Sequence, residues 1–453
     1  MENKKYLKWY QKVAYGSGDM GANFMYGLVS SFILLYLTTA MGMNSAIIGT
    51  LMMVSRFLDG VTDVFFGGLI DKTHSKMGKA RPWMFWSAFP LAICEVLLFS
   101  IPNAAPTVQY IYFFVVYSVL NAVLYTANNI AYASLTALIT KNPNERVQLG
   151  SIRFIFSLIT NIVISSITVM LVDSFGGGPA GWRMVAIVYS ALLLLFNMVA
   201  VLTVKEVPEE NDAASEPQVA ASADKRTLLE NLKLLIRNKF YLFILVYYIL
   251  YYCMSGISQG IGVFYCTYTL GSAEILGLLS MAGMAPMIVG LIITPALVSK
   301  FGIYKVNLIG MIVATLASIP TAFFGYTGNL TLFIAFSLLR GLGSSPMLGT
   351  LNAVIAETAT YSYNKEGVHL DGTMFSCSSM GIKVGGGIGT ALTGWLLALG
   401  GFDGAAAVQT ASAISMINFM YLILPLVLTI AMTFIVSRLD VETANKQLVA
   451  AKS

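Results

Sequence analysis

Apolar runs of about 20 residues or more recur from one end of the chain to the other, and each can cross roughly 30 Å of hydrocarbon. One such run would fit a buried core helix or a leader. Their repetition leaves lipid as the surrounding solvent. In hydrocarbon the backbone can hydrogen-bond only to itself, so spanning segments are helices or closed barrels. A barrel needs segments of about ten residues alternating apolar and polar. Stretches such as 192–202 and 422–435 are apolar on nearly every side, which selects helices. Only 11% of the 453 residues are charged and 57% are hydrophobic, too little charge to coat a soluble protein of this length.

The pattern predicts an all-α membrane protein of twelve transmembrane helices, near 13–42, 45–70, 82–101, 107–140, 148–174, 184–204, 240–270, 273–299, 306–326, 330–360, 368–399 and 413–437. Charge placement agrees with an even number of spans. Of the 27 Lys and Arg residues, Arg56, Arg153, Arg340 and Lys383 fall inside spans, and only Arg183 falls between spans on one side. All the others fall on the opposite side. This positive-inside asymmetry predicts that both termini are cytoplasmic and that the chain is a multi-pass protein of the cell (inner or plasma) membrane. The lysine-rich start, Met1 to Lys12, shows no small-residue cleavage site, so no removed signal peptide is expected. Cys94, Cys253, Cys266 and Cys377 all lie in predicted spans without a CxxC pair, as packing residues would.

One composition shift divides the chain. Lys205 to Asp224 is charged, rich in Ala, Ser and Pro, and lacks apolar periodicity. The expected organisation is a six-helix half over 1–204, a cytoplasmic linker over 205–239, a second six-helix half over 240–437 and a cytoplasmic tail over 438–453. Leu228 to Ile236 is amphipathic and would lie along the membrane surface. Two halves of six imply an internal parallel repeat, as in major-facilitator transporters, with a solute site between them near the midplane. The loop GGLIDKTHSKMGKARPW and its counterpart PALVSKFGIYK share only a basic, Gly-containing turn. The Gly381–Gly389 cluster, GxxxGGGxG, has no strand or βαβ unit around it, so it reads as close helix packing rather than a dinucleotide loop.

Ionisable residues inside spans are costly, so each is a candidate site. Asp59 and Asp63 are four residues apart in SRFLDGVTDVFFGGLID, on one helix face. Two carboxylates so placed repel unless a cation or proton lies between them, which fits Na⁺, Li⁺ or H⁺. The bland alternative is a structural pair neutralised by Arg56 and Lys383. Lys383 itself needs an anionic partner, and the span-two aspartates would let cation occupancy compete with a salt bridge. Asp19 and Asn23 stand one turn apart in span one, Asn128, Asn129 and Tyr132 lie in span four, and Arg153 opens span five. Amides, hydroxyls and a guanidinium around a wet cavity suit a hydroxyl-rich solute, with aromatic rings to stack on it. Each alone also serves as an inter-helix hydrogen bond. That reading is preferred for Glu95 and Arg340, while Glu357 is placed near a cytoplasmic gate. His74 and His369 lie in or near loops without metal-ligand spacing, and no enzyme chemistry is visible.

These stretches together resemble the glycoside–pentoside–hexuronide:cation symporters. The resemblance is carried by YGSGDMGANF (Tyr15 to Phe24), RFLDGVTDVFFGGLIDKTHSKMGKARPW (Arg56 to Trp83) and YTANNIAYASL (Tyr125 to Leu135). ERVQLGSIR (Glu145 to Arg153) and AETATYSYNKEGVHLDGTMFSCSSMGIK (Ala356 to Lys383) add to it. It implies the major-facilitator fold, alternating access and coupling to Na⁺, Li⁺ or H⁺, with no other cofactor. It also implies that Asp59, Asp63 and Thr126 form the cation site and that Lys383 lies beside it. Arg153 matches an arginine lining the sugar cavity. Asn23 and Asn129 stand where melibiose permeases have sugar-binding aspartates, and Ala133 where they have a tryptophan. Amides in place of acids remove repulsion for a carboxylate, so a hexuronide held by Arg153 fits as well as a neutral glycoside or pentoside.

The expected function is cation-coupled import of a glycoside, pentoside or hexuronide, by a monomer whose partners are the sugar and the lipid bilayer and not nucleic acid. An exporter on the same fold would favour a more apolar cavity, and the span-two acids weigh against it. A non-transporting sensor or scaffold would carry longer tails or a soluble domain.

Overall fold

The computed structural model describes residues 5–207, 235–366, 371–406 and 408–450; within these the side chain of Asp63 is not among those placed. The predicted linker and amphipathic stretch fall mostly outside the described residues, as does His369. Helix α1 (Trp9–Leu35) runs on through a π-helical turn, Tyr36–Ala40. It is followed by α2 (Ser45–Asp71), α3 (Arg81–Leu98) and α4 (Pro106–Ser118). A π-helical stretch, Val119–Tyr125, joins α4 to α5 (Thr126–Leu138), and α6 (Pro143–Ser174) and α7 (Gly178–Thr203) follow. Further along come α8 (Lys239–Phe264) with its π-helical end Tyr265–Thr269, α9 (Ile275–Phe301), α10 (Ile303–Tyr326), α11 (Leu330–Glu366) and α12 (Asp371–Leu399). Last are α13 (Ala411–Asn418), a π-helical turn Phe419–Ile423, α14 (Leu424–Ser437) and α15 (Val441–Ala450).

Among the described residues, eleven helical segments are long and apolar enough to cross a membrane. Helix α3 is the shorter twelfth, with 18 residues, and it carries Arg81 and Glu95. Among the described residues there is no strand. The all-α twelve-helix expectation holds.

The internal repeat, faint in sequence, is plain in local geometry. Helices α1 and α8, the first of each six, leave the same way. Met41 N–H donates to the Tyr36 carbonyl at 3.2 Å and Met43 N–H to that of Leu37 at 2.9 Å. Leu270 N–H likewise donates to Tyr265 at 3.1 Å and Ser272 N–H to Cys266 at 3.0 Å. The third helix of each six, α3 and α10, begins against a glutamate from the end of its own half. Glu206 accepts from the backbone N–H groups of Lys79, Ala80 and Arg81 at 2.7, 3.0 and 3.0 Å. Glu442 approaches the Tyr304 N–H at 3.5 Å. A carboxylate there meets the unpaired amides and the positive end of the helix dipole. Just before each helix stands a glycine, Gly78 at φ 106° and Gly302 at φ 83°. A Cβ on either would collide with the glutamate carboxylate, and only glycine holds such a φ cheaply.

Two compact units are distinguished. The first is Met1–Pro208, Gly256–Ser280 and Gly387–Asn418. Within it α1 packs on α6 and α7, and α3 on α5 and α7. Its core includes Tyr15, Met84, Tyr132, Leu135, Leu149 and Val201. Gly18 lets α5 come close: a Cβ there would stand 2.9 Å from the Tyr132 ring and 3.0 Å from Ala200 Cβ. The start of α2 meets the end of α12. A Cβ on Gly49 would lie 3.0 Å from the Ala391 carbonyl oxygen, and Trp395 Nε1 donates to Thr50 Oγ1 at 2.9 Å.

The second unit is Glu209–Ser255, Met281–Gly386 and Phe419–Ser453. There α10 packs on α11 and α14, around Tyr247, Met311, Met347, Ile355 and Met432. The tail forms α15, which folds back onto α11. Asn445 Nδ2 donates to both the carbonyl and the Oε2 of Glu357, at 3.0 and 2.9 Å.

In the first unit Glu145 knots the chain start to the α5–α6 turn. Its carboxylate accepts from Tyr6 N–H at 3.1 Å, Leu7 N–H at 3.3 Å and Thr140 Oγ1 at 2.7 Å, and pairs with Lys12 Nζ at 3.0 Å. Burial alone would push this carboxyl up, but the bonds from Thr140, Lys12 and the Tyr6 and Leu7 amides outweigh it and hold it below its usual 4.5. A depressed carboxyl stabilises the fold above its unfolded pKa and loses that contribution as pH falls through the folded value. Glu145→Gln is therefore expected to lower the melting temperature of detergent-solubilised protein at pH 7. The gap from wild type should narrow as the pH drops below 4.5. Gly18→Val, which drives a side chain into Tyr132, should destabilise by about 1–3 kcal/mol in the same melts, whereas Gly150→Ala, in open space, should not.

Candidate functional site

The residues of the candidate site gather in the first unit, where α1, α5 and α6 meet. On α1 the four-residue spacing puts Asp19 and Asn23 on one face, and Asn23 Nδ2 donates to the Asp19 carbonyl at 2.8 Å and to Asp19 Oδ2 at 3.0 Å. From α6, Arg153 Nε donates to Asp19 Oδ1 at 2.8 Å and Nη2 to Asn129 Oδ1 at 3.3 Å. The guanidinium carbon lies 4.5 Å from the centre of the Tyr132 ring. Tyr132 stacks on Tyr15 at 4.8 Å and donates its hydroxyl to the Tyr15 carbonyl at 2.7 Å. All five predicted sugar-site residues, Asp19, Asn23, Asn129, Tyr132 and Arg153, thus belong to one connected network.

Two members of that network were not singled out from sequence. Asn161 Nδ2 donates to Asn23 Oδ1 at 3.3 Å and to the Ser157 carbonyl at 2.9 Å, and the Ser157 side chain lies near Asp19. The readable signal was spacing. Arg153, Ser157 and Asn161 recur every four residues, a polar stripe on an otherwise apolar helix. Asn128, one residue from Asn129, faces elsewhere. It donates to the Met84 carbonyl at 3.1 Å and Ser87 Oγ at 2.9 Å, and accepts from Asn197 at 3.1 Å, joining α3, α5 and α7. Glu95 is fully buried, and its Oε2 accepts from Ser190 Oγ at 2.8 Å, an inter-helix bond.

The candidate cation site lies one helical turn away on α5. Thr126 Oγ1 donates to Asp59 Oδ1 at 2.6 Å, with the Asn121 carbonyl, five residues back in the π-helical stretch, at 3.0 Å. The wider π register is what brings that carbonyl to the hydroxyl, and such single-turn widenings recur at functional sites. Asp59 is 9% exposed. Arg56, one turn before it on α2, lies over the Tyr26 ring at 5.6 Å, near enough to Asp59, Tyr26 and Tyr117 to interact with each electrostatically. Tyr26 in turn stacks on Tyr125 at 5.6 Å. A carboxylate, a hydroxyl and backbone carbonyls are hard oxygen donors of the kind small monovalent ions and protons use. Lys383 lies on α12 in the second unit and is partly buried. Among the described residues no group of three or more His, Cys, Asp or Glu side chains could hold a metal ion.

Comparison with known proteins gives this geometry a setting. The chain is 30% identical to the isoprimeverose transporter of Lactiplantibacillus pentosus, over 94% of this chain and 87% of that one. It is 28% identical to the inner membrane symporter YicJ of Escherichia coli K12, over 98% and 95%. Among solved structures, a bacterial homologue of the human lysosomal transporter Spinster, inward-facing and unoccupied, superposes with a TM-score of 0.68 at 13% identity. The match covers 98% of each chain and shows the shared major-facilitator fold. The family model for MFS/sugar transport proteins matches residues 14–443. The chain is a membrane transporter of the MFS/sugar transport family, and with it of the glycoside–pentoside–hexuronide:cation symporters that its motifs resemble.

Proposed function

We propose that this transporter imports a glycoside, pentoside or hexuronide together with Na⁺, Li⁺ or H⁺, working as a monomer in the cell membrane with both termini in the cytoplasm. One observation supports the coupling above the others. Thr126 holds the span-two acid and Asn129 holds the sugar-network arginine, and they are three residues apart, neighbours on one face of α5. A cation that draws on Asp59 and Thr126 shifts the helix turn that also carries Asn129. A sugar engaging Asn129 and Arg153 acts back on the same turn. Coupling of this kind is reciprocal: each ligand raises the affinity for the other by the same factor.

Asp59, Asp63 and Thr126 are the proposed cation ligands. Arg56 and Lys383 are the proposed coupling cations, competing with the bound ion for the span-two acids. The contacts between the start of α2 and the end of α12 lie at one end of the first unit. On the positive-inside orientation this is the outer end, and alternating access requires Gly49 and Thr50 to part from Ala391 and Trp395.

Purified protein in proteoliposomes, given inward gradients of Na⁺, Li⁺ or H⁺ in turn and a panel of labelled glycosides, tests the proposal. Accumulation above equilibrium is expected with at least one ion. Accumulation indifferent to every gradient overturns symport, and extrusion against an inward gradient overturns import. Asp59→Asn and Asp63→Asn should each abolish the ion's stimulation while leaving equilibrative exchange. Thr126→Val should lower the apparent ion affinity about tenfold, near 1.4 kcal/mol. Lys383→Ala should weaken ion dependence; unchanged ion dependence would remove Lys383 from the mechanism.

A further inference from the structure

We propose that Asp19 determines specificity by holding Arg153 compensated from beneath, which tunes the sugar cavity to uncharged glycosides and against hexuronides. The inference rests on the proposed sugar-transport function and concerns the same cavity.

An arginine that captures a carboxylate from solution offers it an open fork of N–H donors and an uncancelled positive charge. Arg153 keeps only part of that fork open, and its charge is already cancelled. Nε is committed to Asp19 Oδ1 at 2.8 Å and Nη2 to Asn129 Oδ1 at 3.3 Å, and one face lies over Tyr132. The partner's second oxygen is engaged as well, since Asp19 Oδ2 accepts from Asn23 at 3.0 Å. The remaining polar members of the cluster, Asn23, Asn129, Asn161 and Ser157, are uncharged. The cluster is therefore electrically neutral before any solute arrives.

Exposure shows which partner the solute would meet. The Arg153 side chain is 28% exposed and that of Asp19 only 9%. The cation is presented and the anion lies behind it. A neutral sugar can take hydrogen bonds from the amides and the guanidinium while the pair stays intact. A hexuronate must either share Arg153 with Asp19, placing two carboxylates on one guanidinium, or displace Asp19 and leave it buried without its counter-ion. Both are unfavourable in a low-dielectric site.

A simple inter-helix clamp between α1 and α6 predicts something different: removing Asp19 would weaken every sugar alike. The two accounts separate on the ratio between solutes that differ in charge and little else. Wild-type protein in proteoliposomes, under whichever cation gradient drives uptake, would be given p-nitrophenyl β-glucoside against p-nitrophenyl β-glucuronide. The corresponding galactoside and galacturonide form a second matched pair. Binding to the solubilised protein is measured in parallel by calorimetry. We expect the neutral member to be favoured at least about tenfold. Asp19→Asn should shrink that ratio about tenfold or more through a gain in glucuronide affinity, and the Asp19→Asn/Arg153→Gln double variant should restore the neutral preference.

Equal handling of both members by wild type overturns the proposal without any variant, whatever the stability of Asp19→Asn. A uniform loss for both in Asp19→Asn, with the fold intact by circular dichroism, overturns it in favour of the clamp. Wild type that neither binds nor moves any member of either pair under any gradient overturns the transport reading, and this inference with it.

Discussion

A charge moved from water into hydrocarbon loses its hydration, and only a partner and hydrogen bonds within the protein can replace it. Asp19 and Arg153 do this for one another, and much of the first unit is arranged around the pair. Asp19 sits on a helix face that also carries Asn23, so its second oxygen is satisfied from the same helix. Arg153 reaches α1 from α6 because small residues let the helices close up. A Cβ at Gly16 would collide with Ile152, the neighbour of Arg153, and one at Gly18 with Tyr132. The aromatic pair Tyr15–Tyr132 then fills the space beneath the guanidinium. Charge, glycine pattern and stacking are one solution to one requirement.

The same logic explains how much was legible in the residues. Helix number followed from the length of apolar runs, because hydrocarbon thickness leaves little choice. The candidate-site residues stood out because polar side chains are conspicuous in apolar helices. What stayed hidden depended on partners far away in the chain. Nothing local to Glu206, inside what reads as the start of a linker, announces that it binds the amides of Lys79, Ala80 and Arg81. Asn161 is a single amide whose meaning depends on Asn23 across the helix interface. The pairing of Asn128 with α3 and α7 was unreadable for the same reason, since adjacent amides on one helix face different neighbours. The tail helix α15 has a modest apolar face, and its place is set by Glu357 of α11.

The π-helical stretches were also out of reach, because no residue type demands an extra residue in a helical turn. Their placement is nonetheless systematic. The stretch Val119–Tyr125 ends where Thr126 begins, and it delivers the Asn121 carbonyl beside the hydroxyl that holds Asp59. In a regular helix a Thr hydroxyl bonds the carbonyl four residues back, as Thr160 and Thr168 do, and here it meets the one five back. The widened turn thus adds an oxygen beside a buried acid without adding another charge.

The glutamate–glycine pairs, Glu206 with Gly78 and Glu442 with Gly302, set what the start of each third helix requires. In each, the carboxylate occupies the space a Cβ would need, and the backbone there takes a conformation that ordinary residues resist. A side chain at either glycine would have to push the carboxylate off the amides it meets. The loops around the two pairs are unalike, KTHSKMGKAR in one and SKFGIYK in the other. The same closure thus serves both halves without a shared loop sequence, because it needs only a carboxylate, a glycine and the free amides of a helix start.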